Sequence, residues 1–277
     1  VLKVSVIVEG FLSGLHGRWR HGFIVDFSEY RRYIPGDDPR AIDWGAYART
    51  DRYFVKLFDA ETTLDGFLAV DISASMNFGT GPLTKLEYGI CLAASMGWLM
   101  INQKDAVGLF TFDEKPRTMY PPRSKQLHLT RILTDLARAR PRGQKGFADN
   151  MLKLAAFARH RSLIVLCSDL LVPFDDFAKG LSILKHSRHD IIVFHILDSA
   201  ERQFPYSEPL ELEDPETGKR LSVSPEIVRE AYLRGIGEYI ERIEEECARH
   251  RVDYVPIDTS TPFDKALTSF LVKRSRK

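Results

Sequence analysis

Short apolar runs alternate with longer amphipathic segments from residue 63 to the end of the chain. The apolar runs have the bounded form of buried strands and lie at residues 67–70, 106–112, 162–167, 191–197 and 252–257. The amphipathic segments predict helices at residues 84–102, 124–139, 149–160, 174–186 and 224–250, with a last one opened by Thr261-Pro262. Strands that alternate with helices predict an α/β, Rossmann-like fold with a doubly wound, mostly parallel sheet.

Local sequence signals predict the capping residues of two of these helices and an inserted β-hairpin. Thr84 and Glu87 have the spacing of a capping box at the start of the first long helix. Asp149 is placed to cap the helix predicted at residues 149–160. Residues 210–223 predict an inserted β-hairpin, because two β-like runs flank a turn-forming centre.

Residues 1–62 have a different pattern and are predicted to form a small, mostly β subdomain in front of a domain at residues 63–277. Short β-like runs lie at residues 23–27 and 52–58. Between them, at residues 33–44, lies the charged and turn-rich segment YIPGDDPRAIDW.

Two roles are open for this charged segment. In the first, the subdomain is bridged to the main sheet through charge-assisted hydrogen bonds from Asp37, Asp38, Arg40 and Asp43. In the second, the segment is a partner surface anchored by Arg31, Arg32 and Arg40.

Composition excludes some classes of function. Among 277 residues, 39 are basic and 38 acidic, so the net charge of +1 predicts no general attraction to nucleic acid or membrane surfaces. No apolar run reaches the length of a membrane-spanning helix. Three widely spaced cysteines without a CxxC pair indicate a reducing compartment, and we therefore expect a cytoplasmic protein.

Candidate chemistry lies where two predicted strands end. Asp71 directly follows an apolar run, with Ser73 and Ser75 after it at a spacing of two, and Asp169 follows another such run. The carboxyl ends of strands in an open α/β sheet are where ligands bind, and carboxylate and hydroxyl oxygens suit Mg²⁺. A polar turn, in which both serines bond the local backbone, is the alternative.

These motifs resemble a known family. The Asp71–Ser73–Ser75 pattern together with Asp169 is similar to a von Willebrand factor A-type domain with a metal-ion-dependent adhesion site (MIDAS). The segment YIPGDDPRAIDW in front of it resembles the domain of unknown function numbered fifty-eight, and the resemblance covers nearly the whole chain.

The resemblance implies a site and a role. Ser73 and Ser75 would bind Mg²⁺ or Mn²⁺ directly, while Asp71 and Asp169 would act through waters and hydrogen bonds. Ala148 stands where relatives carry a threonine, so binding is expected to be weak or absent. The resemblance further implies a non-enzymatic protein-binding module, an adaptor or co-chaperone of a MoxR-type AAA+ ATPase that assembles or matures client protein complexes.

Two alternatives to this role stay open. One is a Mg²⁺-dependent phosphoester hydrolase that uses Asp71 and Asp169, although the sequence contains no nucleophile elbow and no Walker loop. The other is a structural module whose metal site has decayed, to which Ala148 points.

Overall fold

The computed structural model describes residues 30–33, 44, 47, 52–56, 64–144 and 146–275. The chain divides into two compact units: Gly14–Thr63 forms one, and Leu64–Lys277 together with Val1–Ser13 forms the other. Within the described residues, no helix combines the length and the apolar character needed to cross a membrane.

The smaller unit contains an antiparallel pair of short strands. Strand β1 (Tyr30–Arg32) pairs with β2 (Phe54–Lys56), and β2 lies within the β-like run predicted at residues 52–58. Trp44 exposes 60% of its surface and contacts Tyr47 and Tyr53 edge-on. The strand predicted at residues 23–27 and nearly all of the YIPGDDPRAIDW segment lie outside the described residues.

The larger unit is built on a six-stranded sheet in the order β10-β7-β6-β3-β4-β5. Its strands are β3 (Asp65–Asp71), β4 (Ala106–Phe112), β5 (Pro116–Arg123), β6 (Leu163–Ser168), β7 (Asp190–Leu197) and β10 (Asp253–Asp258). All neighbouring pairs are parallel except β4 and β5. The predicted α/β fold with a doubly wound, mostly parallel sheet is confirmed.

Strand β5 is absent from the sequence-based prediction. It contains Pro116, Pro121 and Pro122, and proline is a poor strand former because it lacks an N–H donor. The strand lies at the edge of the sheet, where one side needs no ladder hydrogen bonds, and edge strands tolerate proline for that reason.

Helices cover both faces of this sheet. They are α1 (Lys85–Asn102), α2 (Gln126–Arg138), α3 (Phe147–Phe157), α4 (Phe174–His186), α5 (Ser199–Gln203), α6 (Pro225–Arg249) and α7 (Phe263–Ser275). The predicted hairpin is present as β8 (Leu210–Glu213) and β9 (Arg220–Val223). The short helix α5 was not predicted.

Two helix starts test the cap predictions. The Thr84 capping box is confirmed, since the side chains of Thr84 and Glu87 each accept a hydrogen bond from the backbone of the other. The Asp149 cap is wrong, because α3 begins at Phe147 with Gly146 as its N-cap residue. Asp149 is instead the third residue of that helix and is exposed.

Close packing places α1 directly over the sheet. A Cβ at Gly97 would lie 3.1 Å from Leu68 of β3, and one at Gly89 would lie 3.1 Å from Ile196 of β7. On the opposite face, the aromatic and aliphatic side chains of β3 and β4 pack with those of α3 and α4 in one buried cluster. The N-terminus of α1 is therefore fixed above the carboxyl ends of the central strands.

Candidate functional site

The candidate site lies at the point where the strand order reverses. Strands β3 and β6 are neighbours, but the chain leaves β3 toward β4 and leaves β6 toward β7. The loops that follow β3 and β6 therefore diverge and leave a crevice between them, where doubly wound folds bind ligands. Asp71 ends β3 and Asp169 directly follows β6, and both residues are completely buried.

Asp71 joins these two loops through its carboxylate. The Ser168 hydroxyl donates to Asp71 Oδ2 at 2.6 Å, and the backbone N–H of Ser73 donates to Oδ1 at 2.9 Å. Ser168 Oγ also accepts from the N–H of Leu170 at 3.0 Å. The buried Ser168, which the sequence analysis did not single out, therefore connects the two strand ends.

Ser73 and Ser75 point their hydroxyls toward each other. Their Oγ atoms are 3.2 Å apart, with Ser73 buried and Ser75 half-buried. Ser73 is the N-cap residue of a 3₁₀ helix at Ala74–Asn77, which turns the chain over the sheet edge. The separation of the two oxygens suits adjacent ligands of an octahedral ion with bonds of about 2.1 Å, which lie roughly 3 Å apart.

The segment in front of α3 forms the third wall of the crevice. The N–H of Ala74 donates to the carbonyl of Gly143 at 3.1 Å, and the N–H of Arg142 donates to the carbonyl of Ile72 at 2.9 Å. Gly143 has a φ of +69°, a left-handed conformation that glycine adopts without strain. Ala148 is 2% exposed and contributes only a methyl group where the family resemblance implies a threonine oxygen.

A buried ammonium group faces Asp169. Lys85 Nζ donates to Asp169 Oδ2 at 2.8 Å and to Glu201 Oε1 at 2.6 Å. The side chains of Lys85 and Asp169 are fully buried, and that of Glu201 is 16% exposed. Burial raises the pKa of Glu201, and the neighbouring Lys85 opposes that rise.

Lys85 and Glu201 were both missed by the sequence analysis. Lys85 is the first residue of α1, where the helix dipole favours an acidic side chain over a basic one. A lysine at that position, ten residues after the DxSxS loop (Asp71, Ser73 and Ser75), is the signal that could have drawn attention to it.

His195 holds the backbone of the Asp169 loop. Its Nε2 lies 2.9 Å from the carbonyl oxygen of Asp169, and its Nδ1 lies 2.8 Å from the Tyr254 hydroxyl. A carbonyl can only accept, so Nε2 carries a proton; in the neutral ring, Nδ1 then accepts from Tyr254. Burial also raises the pKa of Tyr254, which keeps this hydroxyl protonated as a donor.

Asp198, which directly follows β7, anchors the loop that comes after Asp71, Ser73 and Ser75. Its carboxylate accepts from the N–H and the hydroxyl of Thr80, from the hydroxyl of Thr259 and from the N–H of Ala200. Burial alone would raise the pKa of Asp198, but these hydrogen bonds lower it overall. The same residue forms a capping box with Glu201 at the start of α5.

The predicted metal ligands come together, but they fit a divalent cation poorly. Both carboxylate oxygens of Asp71 accept hydrogen bonds, and Asp169 is paired with the ammonium of Lys85. Ala148 supplies no oxygen, so the hydroxyls of Ser73 and Ser75 are left as the main donors. Among the residues that the structure describes, no three His, Cys, Asp or Glu side chains are grouped to hold a metal ion.

Comparisons with known proteins match most of the chain to one family. The family model described as "Protein of unknown function DUF58" matches residues 29–239. Uncharacterised proteins of Mycobacterium tuberculosis and Mycobacterium bovis are each 29% identical to this chain over 229 residues. The matched region covers 81% of this chain and 72% of each relative.

Solved structures also resemble the chain. A conserved hypothetical protein, BatB, from Bacteroides thetaiotaomicron has a TM-score of 0.49 at 14% identity, over 77% of this chain and 100% of that one. An aerotolerance-related membrane protein from Bacteroides fragilis has a TM-score of 0.48 at 16% identity, over 76% of this chain and 99% of that one.

Proposed function

Since the chain belongs to the family of unknown function DUF58, we propose that its A-type domain is a protein-interaction module that binds its partner at the DxSxS edge. This edge consists of the three loops that carry Asp71, Arg142 and Asp169. The observation that carries the proposal is that these loops, distant in sequence, are hydrogen-bonded to one another at the switch point of the sheet.

The chemistry of the edge favours an acidic segment of the partner. Residues 77–82 form an exposed stretch beside Ser75, and within it Phe78 is 37% exposed. Arg140 and Arg142 are exposed on the neighbouring loop. The backbone N–H of Arg142 donates a hydrogen bond to the carbonyl of Ile72, next to Asp71. Arginine and aromatic side chains are the residue types that most often anchor protein interfaces.

We propose binding and not phosphoester hydrolysis. The two carboxylates that a hydrolase would need, Asp71 and Asp169, already accept hydrogen bonds from Ser168 and Lys85. These bonds hold the loops in place, which is what a rigid recognition surface requires.

The partner that we propose is a MoxR-type AAA+ ATPase, with the present protein as its adaptor or co-chaperone toward client complexes. The support is the resemblance of the DxSxS loop and the YIPGDDPRAIDW segment to a family whose members are commonly encoded beside such ATPases.

Binding to the neighbouring ATPase tests the proposal. Purified ATPase with nucleotide would be titrated onto the immobilised full chain, and onto its Arg142→Glu and Arg161→Glu variants. Arg161 is the matched control, because it is exposed and precedes β6 at the opposite end of the strand. We expect Arg142→Glu to weaken binding about tenfold, which corresponds to about 1.4 kcal/mol, and Arg161→Glu to leave it unchanged.

Two results would contradict the proposal. Absence of binding to the ATPase would refute the partner. Equal losses in both variants would refute the location of the surface, since both substitutions reverse one exposed charge.

A further inference from the structure

A buried lysine stands beside a site that the fold would otherwise equip with a metal ion. Lys85 Nζ is within 2.8 Å of Asp169 and 2.6 Å of Glu201, and the lysine is fully buried. We infer that Lys85 is the built-in counter-cation of the DxSxS edge, which is therefore assembled without a divalent metal ion. The inference rests on the proposed function in one respect, namely that a partner protein binds at this edge.

Lys85 supplies the charge compensation that the buried Asp169 needs. A buried carboxylate is costly unless it is paired or hydrogen-bonded. The carboxylate of Asp71 accepts hydrogen bonds from a hydroxyl and a backbone N–H. Asp169 and Glu201 instead both accept from the ammonium of Lys85. Both ammonium–carboxylate distances are short, as charge-assisted hydrogen bonds are. The compensation that a metal ion would supply at Asp169 is thus already present.

The ammonium group of Lys85 is also held in a fixed position. The capping box of Thr84 and Glu87 fixes the start of α1, and the N–H of Lys85 donates to the carbonyl of Phe78 at 2.9 Å. The ring of Phe78 also covers the ammonium, with its centroid 5.8 Å from Nζ, within the range of a cation–π contact. Lys85 is therefore enclosed between the DxSxS loop and the two acids.

The acidic partners are fixed as well. Glu201 directs Oε1 to Lys85 and accepts from the N–H of Asp198 with Oε2 at 2.9 Å. The carboxylate of Asp169 accepts from the N–H of Leu171 with Oδ1 at 3.2 Å. A divalent ion at Asp169 would have to displace this arrangement or be repelled by the ammonium at close range.

The alternative is that Ala148, which supplies no oxygen, alone prevents metal binding. The two explanations make different predictions for a variant that restores the hydroxyl. If Lys85 is the determinant, Ala148→Thr does not create a metal site, and the double variant Lys85→Met/Ala148→Thr does. If the missing hydroxyl is the determinant, Ala148→Thr is sufficient.

The experiment measures Mn²⁺ binding by electron paramagnetic resonance, and the melting temperature in chelator and in millimolar Mn²⁺. The proteins are the full chain, Ala148→Thr, the double variant and Glu201→Gln, which keeps the Lys85–Asp169 pair. We expect the full chain, Ala148→Thr and Glu201→Gln to bind no Mn²⁺. Each of these three proteins should melt at the same temperature in chelator and in Mn²⁺. We expect the double variant to bind one Mn²⁺ and to be stabilised by it, because a ligand of the folded state alone raises stability.

Three outcomes would overturn the inference: Mn²⁺ bound by the unaltered chain, Mn²⁺ bound by Ala148→Thr, or a folded double variant that binds none. If the double variant does not fold, the unaltered chain and Ala148→Thr still decide. These results are independent of ATPase binding. If the ATPase does not bind but the metal results are as expected, only the proposed function is refuted. If the ATPase binds but one of the three contrary metal results is found, only the role of Lys85 as counter-cation is refuted.

Discussion

Removal of one buried hydroxyl should loosen the junction between the two central loops. The Ser168→Ala substitution removes the hydroxyl that donates to the Asp71 carboxylate at 2.6 Å. It also removes the acceptor of the Leu170 N–H. All three residues are completely buried, so water does not readily replace either partner.

The magnitude follows from these two bonds. A hydrogen bond to a charged group contributes about 1.5–3 kcal/mol, and a buried N–H left unsatisfied costs about 1–3 kcal/mol. Asp71 keeps the N–H of Ser73, which limits the loss on the carboxylate side. We therefore expect Ser168→Ala to lower the free energy of unfolding by about 3 kcal/mol.

Denaturant unfolding monitored by circular dichroism would measure this loss. The matched control is Ser95→Ala, which deletes the same hydroxyl from a residue that is 1% exposed. Ser95 donates to the carbonyl of Cys91 one turn earlier in α1, a bond that adds little to a helix, so we expect a loss below about 1 kcal/mol. Equal losses in the two variants would refute the role of Ser168 as a connection between the loops.

Two further predictions concern other parts of the domain. The pKa of Asp198 is lower in the folded protein than in the unfolded chain, where it is about 4. The carboxylate therefore stabilises the fold above about pH 4, and this contribution is lost as the pH falls through the lower, folded-state pKa. Unfolding measured over a pH series should show a shallower acid dependence in Asp198→Asn, and an unchanged slope would contradict this account. A Cβ at Gly180 would lie 2.8 Å from ring atoms of the buried Phe147, so Gly180→Ala should cost about 1–3 kcal/mol. A Cβ at Gly235 would meet no atom of the described residues within 4 Å, so Gly235→Ala should stabilise helix α6 by about 0.5–1 kcal/mol. Melting temperatures that move in the same direction in the two variants would contradict this contrast.

The parts of the fold that were predictable from sequence are those with strong local signals. The apolar run before Asp71 and the one before Ser168 correspond to the two central strands, and the Thr84 capping box marks a helix start correctly. Strand β5 escaped prediction because its prolines argue against a strand unless its edge position is known, and that position depends on the whole sheet.

Some residues of the candidate site could likewise be predicted from the sequence, and others could not. Asp71 and Asp169 could be brought together in advance, because each follows a buried strand and parallel strands end at one edge. Lys85 could not, because its partners Asp169 and Glu201 lie 84 and 116 residues away in the chain. Pairings at that distance follow from the packing of α1 and α5 over the strand ends and leave no periodic signal in the sequence.

The adjacent prolines of β5 also restrict how this domain meets other chains. Successive residues of a strand direct their backbone groups to opposite sides, so either Pro121 or Pro122 leaves a gap in the outward row of N–H donors. A strand from another molecule could not complete its ladder there, which protects this border against aggregation and against β-augmentation. Recognition at this side of the molecule must therefore rely on side chains and loops and not on shared backbone pairing.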